Sequence, residues 1–427
     1  VRESLITPEV NLRVFNGYSW FPCEYDIHSL ESKVNMMELS LPTARAAFPQ
    51  IPAVEAGAIE IKESAPESLA KQSRWILNGP LDLFFVCGGA MWLLLIVCTV
   101  ADVLGSHVGY AFSSFVLLSG ALVFADSHNA ATIVRFIDEP GLAARHPYVS
   151  ILLPLLMVAL LLPQILGNPQ HLEIAVQAYL ILIAQHVTAQ AYGITMIYLR
   201  KSGLELSTRQ VQVIKMAFTA MMISGIARQL SPGTSSFMGG QLSHLEIVPG
   251  FVAFAVGFAA CIFFVIMFGM LSRQAHKSGV RLHPGAMLLA VNTLLLYTIV
   301  PAVGLLALLA PAFFHGTQYL AVTTAHAMKS HPNDLAASAP AVVASKLFTG
   351  DNVFYWTKVL SLGAVLYMVI PMLLSKLGFS ATTAMAAVFC TVNFHHFVAD
   401  AVIWRRRNPN LNNQQSTINK CLPNRGN

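Results

Sequence analysis

Apolar runs of about 20 residues, the length an α-helix needs to cross the hydrocarbon core of a bilayer, recur along the chain from Leu83 onward. They lie near 83–104, 107–127, 148–166, 172–199, 209–227, 248–272, 284–303, 304–328, 355–375 and 379–403. The fifth is the most amphipathic, because Lys215 and several Gln and Thr residues interrupt it. The pattern predicts an all-α polytopic transmembrane helix bundle of about ten spans occupying residues 76–407. Charge alternates between the linkers. One set carries Lys71 and Arg74, then Arg135 and Arg145, Arg200, Lys201 and Arg209, Arg273, Lys277 and Arg281, Lys329 and Lys346, and finally Arg405 to Arg407. The opposite set offers Arg228 and Lys376. By the positive-inside rule the first set is cytoplasmic, as are both termini. Omitting the fifth span would invert everything after it and destroy the alternation.

Residues 1–75 break the pattern. They hold nearly half of the acidic residues, several prolines and stretches such as Glu60-Ile61-Lys62-Glu63-Ser64-Ala65-Pro66-Glu67 that support no long apolar face. They read as a mostly disordered cytoplasmic tail, and 408–427 as a disordered C-terminal one.

Composition agrees with the spans: 55% of residues are hydrophobic and 11% charged, with a mean hydropathy of +0.60, against about 25% charged in soluble domains. The net charge of +5 sits mainly in short loops, so it reports topology and not nucleic-acid binding. The six cysteines show no CxxC spacing and lie mostly in apolar runs, which indicates neither a disulfide framework nor a thiolate metal site. Nucleotide-binding loops, hydrolase elbows and HExxH zincin motifs are absent from the sequence.

The chemistry lies in polar groups inside spans, where an unpaired imidazole or carboxylate costs several kcal/mol. The second span ends in Asp126-Ser127-His128-Asn129, with Thr132 and Arg135 at i+4 and i+7 from His128. The fourth carries His186, Gln190 and Gly193 on one stripe, and the eighth His315, Gln318, Tyr319, Thr323 and His326. The tenth contains His395 and His396, with Asn393, His396 and Asp400 sharing a helix face. Four helices thus supply at least five imidazoles and two carboxylates, a donor set that suits iron, zinc or copper and that a helix bundle can gather from inward-facing side chains. Structural or proton-handling histidines, and a haem or pigment site, are the alternatives. His146, His276, His283 and His331 read as solvated loop residues. Asp82, after Asn78-Gly79-Pro80, reads as the N-cap of the first span.

These blocks, together with Asn393-Phe394-His395-His396-Phe397-Val398-Ala399-Asp400-Ala401-Val402-Ile403-Trp404, resemble signature blocks of an uncharacterised bacterial family of polytopic membrane proteins with intramembrane histidines. In style they are also similar to the membrane histidine-rich non-haem iron oxygenases, which include a β-carotene-cleaving dioxygenase and the integral-membrane desaturases and hydroxylases. The chain lacks the desaturase HxxxH and HxxHH boxes and the HGxxDH phrase of the carotenoid enzyme, which argues against diiron chemistry and leaves mononuclear iron or another metal. The resemblance implies a multi-pass protein of the bacterial inner membrane that oxidises a lipid-soluble small molecule. In that scheme His128, His186, His315 and His395 or His396 hold non-haem iron. Asp126 and Asp400 are further ligands or fix the imidazole tautomers, Gln190 and Gln318 position water or substrate, and Tyr319 lies in the same group. A proton-coupled transporter and a haem- or pigment-binding subunit are the rival readings.

Overall fold

In the computed structural model the described residues are 75–104, 119–237, 240–243, 245–298, 300, 306–328 and 340–403. The two tails, most of the second predicted span and Arg405 to Arg407 lie outside them. The helices, in chain order, are α1 (Gly79–Val86), α2 (Gly89–Leu104), α3 (Ser127–Asp138, entered through a π-helical turn, Ala121–Asp126), α4 (Pro140–Arg145), α5 (Tyr148–Gly167), α6 (Pro169–Lys201) and α7 (Thr208–Gln229). There follow α8 (Gly250–Lys277), α9 (Pro284–Thr298), α10 (Leu306–Ala327), α11 (Pro340–Leu347), α12 (Gly350–Lys376) and α13 (Ala381–Ile403). The fold departs from all-α at one short antiparallel hairpin, β1 (Thr234–Phe237) with β2 (Gly240–Ser243), which joins α7 to α8.

Six of these helices, α5, α6, α7, α8, α12 and α13, are long and apolar enough to cross a membrane, and α1 with α2 makes a seventh if the bent pair is one span. The amphipathic fifth run is among them, as α7. The eighth predicted run, α10, is long but not among the six, because its stripe of His, Thr, Gln and Tyr lowers its hydropathy. α9, at 15 residues, is apolar but short.

The ends follow local chemistry. Asn168 caps α6 by accepting the Gln170 N–H at 2.9 Å, with Pro169 in the first turn where no N–H is needed. Ser207 and Gln210 form a reciprocal capping box on α7. α1 is capped by Asn78, whose Oδ1 accepts from Leu81 N at 3.0 Å. Asp82 does not cap it. That carboxylate instead reaches back to the N–H groups of Ile76 (2.6 Å) and Leu77 (2.9 Å) and accepts the Tyr198 hydroxyl at 2.8 Å, tying the chain before α1 to α6.

Between α1 and α2 the chain turns by 54°. Gly88, at φ +100°, supplies the backbone conformation that other residues resist. A broken helix frees carbonyls that lipid cannot satisfy. Here the Val86 carbonyl accepts from Gln318 Nε2 at 3.0 Å and the Cys87 carbonyl from Asn292 Nδ2. Asn292 Oδ1 also accepts the Trp92 indole N–H at 2.7 Å.

Burial separates centre from periphery. In the most apolar window of each helix, 61% of α13 and 50% of α6 is buried, against 6% of α5 and 17% of α8. The exposed faces of α5 (Ile151, Leu155, Val158) and α8 (Phe251, Phe254, Phe258) carry the large apolar side chains expected to meet lipid. α6 and α13 pack together at the centre, with α3 and α10 against them.

Candidate metal centre

From these helices Thr132, His186, His315, Tyr319, His396 and Asp400 face this centre. α10 comes unusually close to the π-helical turn before α3: a Cβ on Gly316 would sit 2.3 Å from the Phe124 carbonyl oxygen, so only glycine fits there. His315, the preceding residue, is thereby set beside His128.

Four residues converge. One ligand atom from each of His186 (α6), His315 (α10), His396 and Asp400 (both α13) lies within 4.8 Å of the others, in a buried or nearly buried position. The Nε2 atoms of His186 and His315 are 3.2 Å apart, those of His186 and His396 3.2 Å, and those of His315 and His396 3.4 Å. Asp400 Oδ2 stands 3.6 Å from both His186 Nε2 and His396 Nε2.

Three ring nitrogens pointing at one another cannot all be satisfied by hydrogen bonds. A neutral imidazole presents either an N–H or a lone pair at Nε2, so at least one repulsive pairing remains in any tautomer combination. A cation removes the conflict. A tetrahedral ion with bonds of about 2.0–2.1 Å holds its ligand atoms about 3.3 Å apart, which is the spacing of these three nitrogens. The buried group of three histidines and one aspartate can therefore hold a metal ion.

The surrounding hydrogen bonds select the ligating tautomer of His396. Tyr319 donates its hydroxyl to Asp400 Oδ1 at 2.9 Å. Thr132 Oγ1 lies 2.7 Å from Tyr319 Oη, 3.4 Å from Asp400 Oδ1 and 2.8 Å from His396 Nδ1. With the tyrosine proton committed to the carboxylate, Thr132 donates to an oxygen and accepts from His396 Nδ1–H, leaving the His396 Nε2 lone pair free to ligate. Thr132 received no role from the sequence, although its position four residues after His128 was the available signal.

The other sequence candidates fall around this core. His128 packs edge-on against the rings of His315 and His396, centroids 4.7 Å from each, without joining the four converging residues. Both its nitrogens are buried without a well-formed hydrogen bond, the Phe124 and Ala125 carbonyls of the preceding turn being its backbone neighbours. His395 turns away: its Nε2–H donates to the Val149 carbonyl at 3.0 Å, on α5. Asp126 closes the π-helical turn, half-buried, outside the cluster. Gln190 Nε2 donates to the His315 carbonyl at 3.1 Å and to Gln318 Oε1 at 3.0 Å, so both glutamines brace helices. His283, expected to be solvated, is 1% exposed, stacked on Tyr198 at 4.5 Å and held by the Gly285 N–H.

Fold and site together define a multi-pass helical membrane protein with a buried His–His–His–Asp group able to bind a metal ion. No family model, curated protein or solved structure matches the chain.

Proposed function

We propose that the protein is an integral membrane metalloprotein, a mononuclear non-haem iron oxygenase or oxidase of the bacterial inner membrane acting on a lipid-soluble substrate. Its membrane domain would have ten spans and cytoplasmic termini, the arrangement the linker charges favour. One observation carries the reading: the three Nε2 atoms at 3.2–3.4 Å with Asp400 beside them. Imidazole and carboxylate are the donors of non-haem iron sites. When bound, iron in such a set supplies activation of O₂. The chain's own part is to hold His396 through Thr132, to orient Asp400 through Tyr319, and to exclude water with the apolar walls of α3, α10 and α12.

A haem places its two axial nitrogens about 4 Å apart across a macrocycle; nitrogens at 3.2–3.4 Å favour a single small ion. A proton-coupled carrier draws support from the Asp400–Tyr319 hydrogen bond. Elemental analysis with an optical spectrum of the purified protein separates the three. About one iron per chain without a Soret band is expected. Metal-free protein would favour the carrier, and a Soret band the haem.

A further inference from the structure

A polar file leaves the cluster along two facing helices. Along α3, Thr132 and Arg135 follow His128 at four and seven residues, and Glu139, which caps the end of α3, follows at eleven; on α10, Tyr319, Thr323 and His326 follow His315 at four, eight and eleven. Each series stays on one helix face. The faces meet at both ends, Thr132 to Tyr319 at 2.7 Å and His326 Nε2 to Glu139 Oε1 at 3.2 Å. Between them Arg135 lies within electrostatic reach of Tyr319 and of Tyr355 from α12, whose hydroxyl is beside Thr323. Exposure rises along the file: Thr132 is fully buried, the Arg135 side chain 15% exposed, Glu139 36% and His326 57%. Apolar Ala131, Val134, Leu320 and Val359 wall it. The mouth is charged on every side, with Arg135 on Glu139 at 3.0 Å and Lys358 of α12 paired with Asp138.

Helix pairing alone would explain a polar contact or two. It does not explain a graded series that begins at a buried His–Asp cluster and ends at a titratable pair in water. We propose that this file carries protons between the aqueous phase at Glu139 and His326 and the Thr132–Tyr319 end beside the cluster. A proton enters at the pair and passes along the Thr323, Tyr355, Tyr319 and Thr132 hydroxyls, each taking up one proton as it gives one up, so that one proton enters and one leaves. Arg135 anchors Glu139. The role of the file rests on the oxygenase reading, since reduction of O₂ consumes protons that the apolar walls do not supply.

The test uses the full, uniformly ¹⁵N-labelled chain in lipid nanodiscs and follows exchange of the His396 Nδ1–H with water. Glu139→Gln combined with His326→Leu is expected to slow that exchange tenfold or more, while backbone amides of α13 exchange as before. Either single variant is expected to slow it less than the pair. Unchanged His396 exchange in the double variant, or a slowing shared equally by the α13 amides, overturns the proposal. Iron content of the wild-type preparation is measured in parallel: iron-free protein would overturn the oxygenase reading, and the exchange result would still decide the file.

Discussion

At the scale of single residues, the histidine pair in α13 shows how much helix phase reveals. His396 and Asp400 are four apart and so share a face, and both reach the cluster; His395, about 100° round the helix, finds the Val149 carbonyl instead. The sequence contained that distinction. It could not reveal the burial of His283, which depends on Trp75 and Tyr198, distant in the chain, closing over it. Alanine at His186, His315 or His396, or Asp400→Asn, is expected to abolish stoichiometric metal binding, whereas His146→Ala leaves it intact; metal analysis checks both. Thr132→Val is expected to weaken metal affinity by about 10–100-fold, as loss of a ligand's hydrogen-bonding partner does, with Thr132→Ser close to wild type in a competitive chelator titration. Glu139 supplies a pH dependence. Burial pushes its carboxyl up, but the hydrogen bond and charge of Arg135, with His326, outweigh burial and hold it below the usual glutamate value. A depressed folded-state value stabilises the protein above the unfolded value of about 4.3, and that contribution is lost as pH falls through the folded value. A wild-type melting temperature that drops over this acidic range more steeply than that of Glu139→Gln is the expected result.

Among the elements, long apolar runs were legible and their interruptions were not. α6, α7, α8 and α13 follow the hydropathy closely, since 20 apolar residues have few other folds in lipid. The break between α1 and α2 was hidden, because its stability comes from Gln318 and Asn292, over 200 residues downstream. The same holds for the π-helical turn before α3, which is fixed by a glycine on another helix. Gly316→Ala must push α10 from the Phe124 carbonyl, and overpacking of this kind costs about 1–3 kcal/mol. Gly193→Ala on α6, where a Cβ would meet nothing within 4 Å, is the control and is expected to be near neutral. Thermal unfolding in one detergent compares the two.

For the whole molecule, the sequence predicts sidedness from charge, and reporter fusions test it: one placed after Arg228 and one after Arg281 are expected on opposite faces of the membrane. The cluster adds an order of events that no static distance conveys. His186 and His315 belong to helices made about midway and about three quarters of the way along the chain, while His396 and Asp400 both belong to α13, the last of the described helices. At about 5–20 residues per second, some 10–40 seconds separate synthesis of the first ligand from that of the last two. Until α13 inserts, the nascent chain holds two imidazoles with no carboxylate between them, too few to retain an ion against competing chelators. On the proposed metal site, loading is therefore a late event in biogenesis, and a chain released before Ala381 lacks two of the four converging residues.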